Sequence, residues 1–109
     1  MKKTTLLIIP AALALAFTPN LLAADGQAVY ADNCAKCHGD DGKGQTKMGQ
    51  KTGVRDYTDA KVQASFTDAE GVNAVKDGLK KDDKTLMKAY DLPVDDINAV
   101  IAYMRTFKK

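Results

Sequence analysis

Histidine and cysteine are nearly missing from this chain. His38 is the only histidine, and Cys34 and Cys37 are the only cysteines. A four-ligand zinc site needs more thiolate and imidazole ligands than these three, so that class is excluded on count. A stretch of alternating apolar and polar residues is missing too, and with it the βαβ context that a thioredoxin-like pair requires. There is no internal repeat and no inter-domain linker. The glycine-rich segment 39–49 lacks the P-loop pattern.

The few residues of these types that are present fall together, as Cys34-Ala35-Lys36-Cys37-His38. Two thiols three apart with a histidine next door read as a c-type haem attachment site. Each thiol can add to one of the two vinyl groups of a haem. His38, fixed to the second anchor, is then held below the iron and can supply its proximal ligand. The bland alternative that the count leaves open is a disulfide between the two cysteines.

Residues 1–24 read as a secretory signal peptide: Lys2 and Lys3, an apolar run from Leu6 to Phe17, then Leu22-Ala23-Ala24 before Asp25. The run is shorter than the ~20 residues of a spanning helix, and Pro10, Pro19 and Asn20 interrupt the window, which argues against an uncleaved anchor. No cysteine stands beside the cleavage site, which argues against a lipid-anchored form. The expected location is the periplasm, where a dedicated pathway must attach haem to reduced thiols. Removing Lys2 and Lys3 from the 16 basic side chains leaves 14 against 14 acidic ones, so the mature chain has no net charge. That gives no basic excess for nucleic acid. The domain at 25–109 is small enough to need a staple, and a covalent haem is one. The haem-free chain is therefore expected to be largely unfolded.

The domain reads as all-α. Val29, Tyr30 and Cys34 share a helical stripe, predicting a helix over 26–35, with Gly26 allowing another helix to approach closely. Residues 39–49 read as a loop and 50–57 as irregular. Thr58 is expected to cap a short helix over 59–64. Thr67-Asp68-Ala69-Glu70 is a capping box, opening a helix that Gly78 stops. The segment 80–90 reads as a polar connection. Pro93 is expected at the first helical position, with Asp95 and Asp96 on the positive end of the dipole. Val94, Ile97, Val100, Ile101, Met104 and Phe107 then recur at helical spacing.

With one histidine, bis-histidine ligation within the chain is impossible. The second axial ligand is then methionine, lysine, the N-terminal amine, water, or nothing. Met87 is the first choice, because a methionine in a polar connection needs a reason. Met48 is the rival. Met104 lies on the apolar stripe and reads as core, and lysines would first have to lose a proton.

These residues resemble the small class I cytochromes c of bacteria over the whole mature chain. The likeness rests on Cys34-Ala35-Lys36-Cys37-His38-Gly39, on Asp41-Gly42-Lys43-Gly44, on Gly26 and Tyr30, and on Val100-Ile101-Ala102-Tyr103. It implies about four helices around one covalently bound haem c, with the first and last helices crossing, and a methionine ligand, matched by Met87, shortly before the last helix. Two departures stand out. The chain has no proline between His38 and Pro93, where many members use a proline carbonyl to orient the proximal histidine. Another carbonyl is expected in that role. Lys88 stands where many members have a proline after the methionine.

The expected function is a periplasmic single-electron carrier, an electron-transfer protein and not an enzyme. Its partners would be larger redox proteins: a quinol-oxidising complex, a terminal oxidase or a reductase. A monomer without stable membrane insertion is expected. Val29, Leu86, Ile97 and Val100 are expected to line the haem. Lysines 43, 47, 51, 80, 81, 84 and 88 read either as ordinary solvated surface or as a basic rim for an acidic partner. The alternative function is a haem-based sensor or small-ligand module with a labile sixth site. A peroxidase-like reading lacks a distal histidine.

Overall fold

The computed structural model describes residues 25–109, so the signal-peptide reading lies outside the described residues. Asp25 opens α1 (Gly26–Asn33) by accepting from the backbone N–H of Gln27 at 3.0 Å and of Ala28 at 3.3 Å. The expected single helix over 26–35 is two. Cys34 breaks the regular geometry, and α2 (Ala35–His38) follows at once. The Tyr30 hydroxyl donates to the Gly39 carbonyl, tying the middle of α1 to the end of α2.

The glycine-rich stretch is a loop only as far as Thr46. The Thr46 hydroxyl accepts from the Gly49 N–H at 2.8 Å and so caps α3 (Lys47–Thr52), a helix not expected from the sequence. The same hydroxyl donates to the Cys37 carbonyl at 2.7 Å. A tertiary bond thus stabilises a short helix whose Gly49 and Thr52 are poor helix formers. Asp59, not Thr58, caps α4 (Ala60–Ala64). The capping box forms as expected at the start of α5 (Asp68–Asp77), with Thr67 and Glu70 each bonding the other's backbone N–H. Gly78 ends it at φ +74°, where a Cβ would press on the Met87 carbonyl carried past it by the returning chain.

The polar connection is instead a β-hairpin, the one departure from an all-helical chain among the described residues. Strand β1 (Leu79–Lys81) pairs antiparallel with β2 (Lys84–Met87), with Lys81 opposite Lys84. Asp82 and Asp83 make the turn at φ +50° and +63°. Two successive left-handed residues are the geometry of a tight hairpin turn, and aspartate tolerates it better than most side chains. Alternation fails as a signal because the strands are only three and four residues long, and their residues bordering the cleft, Leu79, Lys81, Leu86 and Met87, form no apolar–polar alternation. Pro93 is the N-cap rather than the first helical residue of α6 (Val94–Arg105).

Helix α6 organises the core. It packs across α1 on one side and α5 on the other. The buried set is Tyr30, Cys34, Val75, Ile97, Val100, Ile101 and Met104, with Ile97 and Val100 wholly inaccessible. At the α1–α6 crossing, a Cβ on Gly26 would collide with the Ala99 carbonyl, so close approach is the role of this glycine. Tyr30, Tyr103 and Phe107 close the crossing with ring centroids 5.2–5.3 Å apart. The first and last helices thus pack crosswise, with α2, α3, α5 and the hairpin bordering the space beside them.

Candidate haem site

That space is two adjoining clefts of about 530 and 410 Å³. Their volumes fall in the ~300–1,000 Å³ range of ligand and cofactor pockets. Cys34, His38 and Met87 line both clefts, and Cys37 lines the second. The thiols, the imidazole and the thioether nominated from the sequence are therefore brought together. The thiols and histidine come from α2 and its cap, and Met87 from the end of β2. Met48 lies on α3, lines only the second cleft and is 38 % exposed. Met104 is buried, as expected, and also lines the first cleft.

The lining differs from the expected one. Leu86 is there, but Ile97 and Val100 are spent on the helix crossing and Val29 packs against the core. Val54, Tyr57, Phe66, Val75 and Ile101 line the first cleft instead. The reason is the breadth of the buried stripe on α6. Ile97, Val100, Ile101 and Met104 all belong to the buried set, and of the four only Ile101 and Met104 also border the cleft. Tyr57 and Phe66 were not expected. Their only signal in the sequence is that they are aromatic in polar surroundings.

The electrostatics suit donor chemistry. Burial holds the His38 imidazole below its ordinary pKa, keeping it neutral at pH 7. Burial, with Cys37 adding to it, pushes the Cys34 thiol up to about 11. Both cysteines are free thiols, so the disulfide alternative is not formed here. Burial also raises Tyr90, whose hydroxyl donates to the Asn33 carbonyl at 3.0 Å and so holds the segment after Met87 against the end of α1. Lys88, next to Met87, stands 5.0 Å over the Tyr90 ring.

The expected carbonyl partner for His38 is not found. Its Nδ1 is buried, yet no acceptor among the described residues reaches it. The glycine-rich loop instead donates its Gly44 N–H to the carbonyl of His38 itself at 2.8 Å. The donor set otherwise fits a haem: two free thiols, one neutral imidazole and one thioether around an apolar space. No helix among the described residues is long and apolar enough to cross a membrane.

Comparison with known proteins follows the same line. The chain matches the family model described as cytochrome c over residues 23–108. Among solved structures it is similar to the KustC0563 c-type cytochrome, with a TM-score of 0.70 and 30% identity, covering 78% of this chain and 99% of that one. It is similar also to a mutant of Kustc0563, with a TM-score of 0.67 and 28% identity, covering 77% and 99%. Among curated proteins it shares 61% identity over 28 residues with the cbb3-type cytochrome c oxidase subunit FixPc of Rhizobium leguminosarum bv. viciae. That match takes in 26% of this chain and spans 10% of the relative's length.

Proposed function

The chain belongs to the cytochrome c family, and on that premise we propose that it carries single electrons in the periplasm, through one haem c that Cys34 and Cys37 would hold covalently and whose iron His38 and Met87 would bind. The observation that supports this most is the meeting of the four side chains at one cleft, Met87 arriving from a different element than the other three. When bound, the haem supplies a one-electron Fe(III)/Fe(II) couple. Every other part of the work belongs to the protein. His38 presents a neutral nitrogen. Met87 presents a thioether, a ligand that favours the reduced state. Val75, Ile101 and Met104 exclude water from the cleft, which disfavours the extra positive charge of the oxidised state. If His38 and Met87 both held the iron, no open position would remain for a substrate, and electron exchange with a docked partner would be the chemistry the group supplies.

Residues 1–24 act as the export signal in this reading, and 25–109 form the carrier. The partners are larger redox proteins of the quinol-oxidising, terminal-oxidase or reductase kinds. The local likeness to an oxidase subunit supports a terminal oxidase among them. Lys80, Lys81 and Lys84 on the hairpin, Lys88 just after it, and Lys47 and Lys51 on α3 are exposed, and Lys81 and Lys88 border the clefts. They suit a partner with an acidic docking face.

An absorption spectrum of both oxidation states, with a redox titration, tests the reading. The wild type should show the sulfur-to-iron charge-transfer band at the red end of the oxidised spectrum. Met87→Ala should lose it and titrate at a lower potential. A band unchanged in Met87→Ala refutes the ligand assignment. Binding of carbon monoxide to the ferrous wild type at neutral pH refutes the closed carrier in favour of a ligand-binding module.

A further inference from the structure

A histidine bound to a metal almost always donates its second ring N–H to a carboxylate, a carbonyl or a water, and that bond fixes the plane of the ring. His38 has no such acceptor among the described residues, although its Nδ1 is buried. What it has is a ring. The phenol of Tyr57 lies against the imidazole with centroids 5.4 Å apart and planes inclined at 53°.

Tyr57 is clamped more firmly than its place in an irregular segment suggests. Its backbone N–H donates to the Gly42 carbonyl at 2.8 Å. Its carbonyl accepts from Gln63 Nε2 at 2.6 Å. Gln63 is a buried polar side chain, and the same nitrogen donates to the Met104 carbonyl at 2.9 Å, so it bridges Tyr57 to α6. Gln63 Oε1 accepts in turn from Arg105 Nη1 at 2.9 Å. The Arg105 guanidinium also donates to the Phe66 carbonyl at 2.9 Å and lies 4.2 Å over the Phe66 ring. The Phe66 ring meets Tyr57 edge-on at 5.9 Å. Tyr57 is thus wedged between His38 and a brace made of Phe66, Gln63 and Arg105.

We propose that Tyr57, held by Gln63 and Arg105, is the positioning residue that sets the rotation of the His38 ring about its bond to the iron, by contact of its ring where a hydrogen bond to a carbonyl would otherwise do so. The proposal rests on His38 being the proximal ligand. It makes the phenol oxygen dispensable and the ring essential. A flat, braced surface restricts rotation of an imidazole by repulsion alone, since interiors are close-packed and a tilted ring pair has few equivalent arrangements.

The test uses the holo-protein and reads the orientation of the imidazole directly. In the oxidised state, the g-values at low temperature and the spread of haem-methyl NMR shifts both depend on the plane of the axial imidazole. Tyr57→Phe keeps the ring and should leave both signatures at their wild-type values. Tyr57→Leu removes it and should shift both, with the sulfur-to-iron band retained. Unchanged g-values and methyl shifts in Tyr57→Leu overturn the proposal, as does a Tyr57→Phe variant that moves them as far as Tyr57→Leu does. One measurement needs no variant. In the reduced wild type, the His38 Nδ1–H should exchange with solvent faster and resonate further upfield than a hydrogen-bonded imidazole N–H. A slowly exchanging, strongly downfield signal would mean that a strong acceptor holds the ring and Tyr57 does not. Failure of the proximal assignment itself looks different, because the wild-type spectrum would then lack the low-spin signature altogether.

Discussion

Replacing Gly26 with alanine should destabilise the holo-protein markedly, although it puts a better helix former into a helix. The gain from removing glycine is up to ~1 kcal/mol in a helix interior, and less here at the first position of α1. Against it stands a collision. The new Cβ would meet the carbonyl oxygen and carbon of Ala99, and would lie 3.1 Å from the Tyr103 Cβ. The first two are backbone atoms of a neighbouring helix, so no side-chain rotation relieves the overlap. The helices must part by roughly 1 Å to restore ordinary carbon contacts. That loosens the packing of Tyr30 on Tyr103 and of α1 on Val100. Overpacking of this kind costs about 1–3 kcal/mol, and an overlap with backbone belongs at the upper end. Net of the propensity gain, the loss should be about 2 kcal/mol. In a domain of this size each 1 kcal/mol moves Tm by roughly 4–8 °C, so thermal melts followed by far-ultraviolet circular dichroism should show a fall of about 8–16 °C. Gly53→Ala is the control. It meets nothing within 4 Å but must adopt φ +73°, a strain of about 1–2 kcal/mol with no repacking. It should lower Tm less and leave the ring-current shifts of Tyr30 and Tyr103 untouched, whereas Gly26→Ala should move them. A Gly26→Ala protein as stable as wild type would refute the close crossing of α1 and α6.

Other consequences follow from single contacts. Thr67→Ala removes one half of the capping box on α5 and should cost about 1 kcal/mol in denaturant titrations, with Thr67→Ser restoring most of it. Gln63→Leu keeps volume but leaves the Tyr57 and Met104 carbonyls without their shared donor. It should cost about 2–4 kcal/mol, and a loss below ~0.5 kcal/mol would show the bridge to be idle. Tyr30 is 2 % exposed, and burial, with nearby acidic groups adding to it, raises its phenol well above the ordinary range. A raised pKa means the folded state holds this proton more tightly, so its contribution is whole below pH ~10 and declines as pH climbs toward the folded value. Denaturant midpoints should therefore fall above pH ~10 by up to ~1.4 kcal/mol per unit, and Tyr30→Phe should flatten that slope.

The legible parts of this protein were those whose chemistry is local. A capping box needs four consecutive residues, and Thr67 to Glu70 announced α5 correctly. A stripe repeating every three to four residues needs only one helix, and 94–107 announced α6. The illegible parts depend on partners distant in sequence. Helix α3 forms where Thr46 finds the Cys37 carbonyl. The hairpin forms around lysines and aspartates that carry no alternation, and its Leu86 and Met87 border a cleft built by elements distant in sequence. Ile97 and Val100 look equivalent to Ile101 and Met104 on a helical wheel, and only the tertiary packing makes the latter two border the cleft as well as the core.

The sequence by itself determined which atoms are present to hold a haem, and it excluded a bis-histidine site, because those are questions of count and of spacing within one turn. It also determined that Gly26, with no side chain, was available for a close crossing. Only the tertiary structure decided that Ala99 fills that position, that Met87 and not Met48 borders both clefts, and that His38 meets the ring of Tyr57 where a carbonyl was expected. Each of those outcomes is set by which distant backbone and rings share a space, and no local pattern encodes that.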